Sequence, residues 1–137
     1  MSRQVVVVAA VVERADRILV TKRPAGAHLA GHWEFPGGKT EDGEDHRRCL
    51  EREMHEELDV AVVVGTELHA TRFVYPDRTV ELHFYRCTVS GEPRPVLGQQ
   101  VRWVLRDELR TLRFPPADLE LIEKLNPRPA TEGTVAT

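Results

Sequence analysis

Three glutamates, Glu53, Glu56 and Glu57, lie in the stretch GGKTEDGEDHRRCLEREMHEELDV from Gly37 to Val60. On a helix turning roughly 100° per residue, Glu56 falls at about 300° and Glu57 at about 40° from Glu53. The three carboxylates therefore share a face. Leu50, Met54 and Leu58 fall near about 60°, 100° and 140°, on an adjoining apolar stripe. Such a helix buries one side and carries acid along its edge. Like charges at these spacings destabilise the helix and raise carboxylate pKa values. A divalent cation removes both penalties, and hard cations such as Mg²⁺ prefer carboxylate oxygens. The competing reading is a solvated acidic face.

The surrounding pattern supplies elements to hold that helix. Val5–Val12 is a continuous β-branched run, predicted to be a buried strand, and Arg17–Arg23 pairs with it as a hairpin. Pro24–Gly31, carrying His28, is a loop. Trp33–Phe35 is a short extended piece stopped by Pro36-Gly37-Gly38. The helix is expected from about Asp45 to Leu58. Strands follow at Val60–Val64, Leu68–Tyr75 and Val80–Ser90, the last two turning at Pro76-Asp77, then a loop over Gly91–Gln100 and a strand at Val101–Leu105. Asp107–Leu112 and Ala117–Leu125 read as helices, the second opening after Pro115-Pro116. This is mixed α and β, with a single domain over residues 1–125 and a tail, residues 126–137, without apolar period.

Bulk properties narrow the function. With 137 residues, 41% hydrophobic and 30% charged, the chain can bury a core. A net charge of −3 gives no electrostatic pull toward a nucleic-acid polymer or an anionic membrane. Cys49 and Cys87 form no disulfide framework and read as reduced thiols, so a cytoplasmic protein is expected. VVVVAAVV is too short to span a bilayer and lacks a cleavage pattern.

Gly37-Gly38 lets the backbone approach a neighbour closely or turn sharply. From Gly38 the spacing runs five residues, Glu44, seven residues, Arg52-Glu53, Met54, His55, Glu56-Glu57, Leu58, Asp59, Val60. This string resembles the Nudix box, departing from it at Asp59, where the box has glycine. TKRPAGAHLAGHW, WEFPGGK, YPDR and FPPAD are similar to the MutT-type branch of the Nudix hydrolases. The resemblance implies an α/β/α sandwich around a mixed sheet, with the box as a loop–helix–loop. It also implies Mg²⁺-dependent hydrolysis of nucleoside triphosphates to monophosphate and pyrophosphate, with Mn²⁺ as a substitute metal and 8-oxo-dGTP as the leading substrate. CTP or 5-methyl-dCTP is the alternative substrate, and a non-catalytic nucleotide-binding module the alternative function. A monomer or weak dimer is expected. A calcium loop at EDGED is disfavoured, because the alternating ligands are missing.

By the same resemblance, Glu53, Glu56 and Glu57 hold the metal, with the Gly38 carbonyl as a further ligand. Glu53 or Glu56 takes a proton from water. Arg52 orients a glutamate, and Glu44 either steadies the loop or sits at a helix start that favours acid. Arg23 and Lys39 are candidates for phosphate contacts and Arg78 for the nucleotide, with plain surface or turn positions as alternatives. Phe35 and Tyr75 could flank a base, although core packing explains Phe35 as well. Cys49 is a packing residue, and His46 and His55 fall off the carboxylate arc or at its margin.

Three positions bear on chemistry or specificity. Asp59 must end the helix in a left-handed conformation, at a cost of about 1 kcal/mol or less relative to glycine. Leu97 stands where MutT-type relatives often carry a loop glutamate, so a box glutamate or a loop residue such as Glu92 must serve instead. Asp118 closes FPPAD where 8-oxoguanine-specific relatives carry Asn. Ionised, it would only accept hydrogen bonds. Capping the last helix is its other reading.

Overall fold

β1 (Arg3–Arg14) carries the apolar run and is buried on both faces. Val8, Ala10 and Val12 turn to one side and Ala9 and Val11 to the other, which explains a continuous run in place of alternation. A computed structural model describes residues 3–26 and 31–126. His28 and the tail beyond Asn126 fall outside the described residues.

Among the described residues, seven strands make one mixed sheet. β1 meets β2 (Arg17–Lys22) through only two residue pairs, Glu13 with Ile18 and Arg14 with Arg17. The hairpin is short because β1 changes partners along its length. Its earlier residues run antiparallel to β4 (Gly37–Lys39) and parallel to β6 (Arg78–Ser90). β2 goes on to pair with β3 (Trp33–Glu34) and β7 (Gln100–Leu105). β5 (Ala61–Val74) flanks β6.

Each face of the sheet has a helix. α1 (His46–Leu58) seats Cys49, Leu50, Met54 and Leu58 on the Val8 face. α2 (Leu119–Leu125) seats Leu121, Ile122 and Leu125 on the Ala9 face with Phe35, Phe84 and Phe114. This is the expected α/β/α sandwich. Asp45 caps α1 by accepting from the Arg48 N–H at 2.8 Å, and Asp59 ends it at φ 53° with its N–H on the His55 carbonyl at 3.1 Å. No helix among the described residues is long and apolar enough to cross a membrane.

Three local expectations are corrected. Gly37 and Gly38 do not stop extended structure but form β4. A Cβ on Gly37 would lie 2.0 Å from the Val8 carbonyl oxygen, so only glycine lets this strand come so close to β1. Val60–Val64 and Leu68–Tyr75 are one strand, β5, whose register shifts between Val64 and His69. Gly65-Thr66-Glu67 looks like a break in sequence, yet a bulge absorbs it without breaking the pairing. Arg106–Thr111 and Pro116–Asp118 are 3-10 turns, which shortens the final α-helix to seven residues.

Candidate active site

α1 lays its carboxylate edge along β4. Gly38 makes this contact geometrically feasible, since a Cβ there would sit 2.4 Å from the Glu53 carboxyl carbon. Arg52 braces the start of the site. Its guanidinium donates to Glu44 at 2.7 and 2.9 Å, to Glu53 at 2.8 Å, to Glu56 at 3.3 Å and to the Lys39 carbonyl at 3.0 Å. Glu44 also accepts from the Glu41 N–H at 2.9 Å. These bonds, from Arg52 first, hold the Glu44 carboxyl down at about 2.

Glu57 lies at the opposite electrostatic extreme. Burial, then the charges of Glu53 and Glu34, push its carboxyl up to about 8, and the Gly37 amide offsets this only in part. Burial also raises Glu53, against the pull of Arg52. As they stand, the box carboxylates do not converge on one point. Among the described residues, the donor set that closes to within 4.8 Å is His46, Glu67 and His83 instead. The box carboxylates still fit a hard divalent cation. Glu53 and Glu57 are partly buried with raised pKa values, Glu56 is exposed beside them, one guanidinium is shared between Glu53 and Glu56, and glycine leaves open backbone next to Glu53. Glu53, Glu56, Glu57 and the Gly38 carbonyl are the residues that would hold it.

Across the sheet from α1 lies a cavity of about 190 Å³, lined by Arg23, Glu34, Phe35, Leu82, Phe84 and Asp118 among others. Phe35 both packs on Phe84 and Phe114 and faces this cavity, so its two readings coexist. Asp118 occupies the N-cap position of α2, but its side chain makes no capping bond. Its carboxyl is 6% exposed and pushed up to about 7 by burial and then by Glu34, with Arg23 opposing. With its carboxyl near 7, Asp118 can donate when protonated as well as accept when ionised.

Glu34 was missed in the sequence. It pairs with Arg23 at 2.6 Å, burial raises its pKa, and its charge acts on both Asp118 and Glu57. A charged residue between Trp33 and Phe35 in an apolar strand was the available signal. Arg23 thus sits at the cavity beside Glu34.

Other expected residues lie elsewhere. Lys39 is exposed. Tyr75 is 44% exposed at the β5–β6 turn, with the Arg78 guanidinium 5.6 Å from its ring, and neither lines the cavity. Leu97 is exposed and offers no ligand atom. Glu92 pairs with Arg14 at 2.8 Å. Cys49 is fully buried with its thiol pushed up to about 12, as suits a packing residue.

The site thus pairs a carboxylate-edged helix on one face of the sheet with a cavity carrying polar side chains on the other. A family model described as the NUDIX domain matches residues 7–124. The CTP pyrophosphohydrolase of Escherichia coli (strain K12) is 34% identical over 122 residues, covering 88% of this chain and 90% of that protein. The 8-oxo-dGTP diphosphatase of Haemophilus influenzae is 36% identical over 129 residues, covering 91% and 94%. The solution structure of the E. coli ORF135 protein superposes with a TM-score of 0.81 at 34% identity, covering 94% of this chain and 96% of that one. The chain belongs to the Nudix hydrolases.

Proposed function

We propose that the protein is a Mg²⁺-dependent pyrophosphohydrolase that cleaves (deoxy)nucleoside triphosphates to monophosphate and pyrophosphate, with 8-oxo-dGTP as its preferred substrate. The observation that carries this reading is the carboxylate edge of α1, with Glu53 seated against Gly38, together with a cavity lined by Glu34, Phe35 and Asp118. In this reading the base occupies the cavity and the phosphates lie along α1. Phe35 offers a ring face to the base, and Asp118 and Glu34 offer hydrogen bonds to its edge. Glu53, Glu56 and Glu57 would hold the metal ion, which when bound would supply charge neutralisation to the phosphates and a more acidic water. Arg52 keeps Glu53 and Glu56 in place, and one of these two takes the water's proton. Lys39 stays a candidate for the outer phosphates, and Tyr75 and Arg78 for the far end of the nucleotide.

A cytidine triphosphate is the second reading, favoured by Asp118 in place of Asn and by the named activity of the E. coli relative. A turnover panel of 8-oxo-dGTP, dGTP, CTP and 5-methyl-dCTP, scored separately for pyrophosphate and phosphate, separates the two. Preference for cytidine nucleotides overturns the 8-oxo-dGTP assignment. Absence of turnover that Mg²⁺ restores after chelation overturns the catalytic reading in favour of a binding module.

A further inference from the structure

His46, Glu67 and His83 bring one imidazole from α1, one from β6 and one carboxylate from β5 to a common point. Their donor atoms lie within 4.8 Å of one another. His83 Nδ1 is already 3.2 Å from Glu67 Oε1, and the two imidazole rings are 4.4 Å apart. In a tetrahedral site with bonds of about 2.0–2.1 Å, neighbouring donors lie roughly 3.3 Å apart. Small side-chain rotations therefore close this set around one ion. Supporting groups are also present. The Tyr85 hydroxyl holds His46 at Nδ1 over 2.7 Å, and the Glu81 carboxylate stands 3.7 Å from His83 Nε2. The Tyr85 hydrogen bond is of the type that orients an imidazole ligand on a metal, and Glu81 stands near enough to His83 to offer a second one after a small rotation.

This cluster is separate from the nucleotide site. Leu82 and Phe84 face the cavity, so His83 between them points to the opposite side of the sheet. His46 precedes Glu53 by seven residues, about 10 Å along the helix axis. Two imidazoles also select differently from the box. Nitrogen donors suit borderline transition ions, whereas carboxylates and water suit Mg²⁺.

We propose that His46, Glu67 and His83 form a second cation site that takes a divalent transition ion of the Zn²⁺ class and ties the first turn of α1 to the β5–β6 pair. The test is Co²⁺ titration of the full chain after chelator treatment, followed by displacement with Zn²⁺. One equivalent should give the intense visible band of a low-coordinate Co²⁺ site, and Zn²⁺ should abolish it and raise Tm. His46→Gln and His83→Gln should each remove a ligand and abolish the one-equivalent binding step. Both variants should retain Mg²⁺-dependent turnover, and Glu57→Gln should keep the band. A band that survives in both histidine variants, or disappears in Glu57→Gln, overturns the proposal. Histidine ring NMR on the unmutated protein gives an independent check. Zn²⁺ should shift the rings of His46 and His83 and leave His32, His55 and His69 in place, and shifts elsewhere alone overturn the assignment.

Discussion

The entry to α1 and the cavity floor both concentrate carboxylates, yet they treat them oppositely. At the entry, Glu44 meets the Arg52 fork and a backbone N–H and is held at about 2. Between helix and cavity, Glu57 and Asp118 have burial and like charge around them and rise to about 8 and about 7. The first arrangement is a brace whose charges are neutralised inside the chain. The second is left short of positive charge and is accommodated by protonation or by a cation or ligand that completes the set.

The largest effect should come from the undercompensated set. Glu53→Gln and Glu57→Gln should each lower kcat by at least about a hundredfold while Tm stays near that of the unmutated protein, read by steady-state kinetics and calorimetry. Near-normal turnover in either variant would erase the distinction between brace and site. Next comes the brace. Arg52→Ala should lower kcat by about tenfold or more by releasing Glu53 and Glu56. It should also remove an acid-sensitive contribution to stability. Because Glu44 sits below its ordinary value of 4.5, that contribution is present above this pH and fades as pH falls toward about 2. The Arg52 variant should lack this decline in Tm.

Asp118 sharpens the comparison from the other side. Its folded pKa stands above the unfolded value of 3.8, so its contribution is present at acid pH and lost as pH rises through about 7. Asp118→Asn ends this titration. Its stability advantage over the unmutated protein should therefore grow as pH rises from about 4 to about 7 and level off above that, with a ceiling of about 4 kcal/mol. A constant difference across that range would place the carboxyl in a more solvated setting. The smallest effect should be at Asp59, which already adopts the left-handed conformation. Asp59→Gly should stabilise by about 1 kcal/mol or less and leave kcat unchanged.

The buried β1 and the box helix were legible because period and spacing are local properties, and the sandwich followed from the resemblance of the box to a known family. Apolar runs, the Leu50–Met54–Leu58 stripe and the Asp45 and Asp59 ends can all be read along the chain. Glu34 was not legible, because nothing in WEF says that Arg23, eleven residues back, folds across to pair with it. The bulge at Gly65 was hidden for a similar reason. A glycine and two polar residues look like a break until a neighbouring strand carries the pairing past them.

Sequence alone determined the Nudix box, the carboxylate face of α1 and the ordering of strands and helices around it. Only the tertiary structure decided how each carboxyl is charged. Burial, distance to Arg52 or Arg23, and nearness to other acids are properties of packing, and they set Glu44 near 2 while lifting Glu57 and Asp118. Packing likewise brought His46 to Glu67 and His83, because residues far apart in the chain become neighbours only where helix and sheet cross.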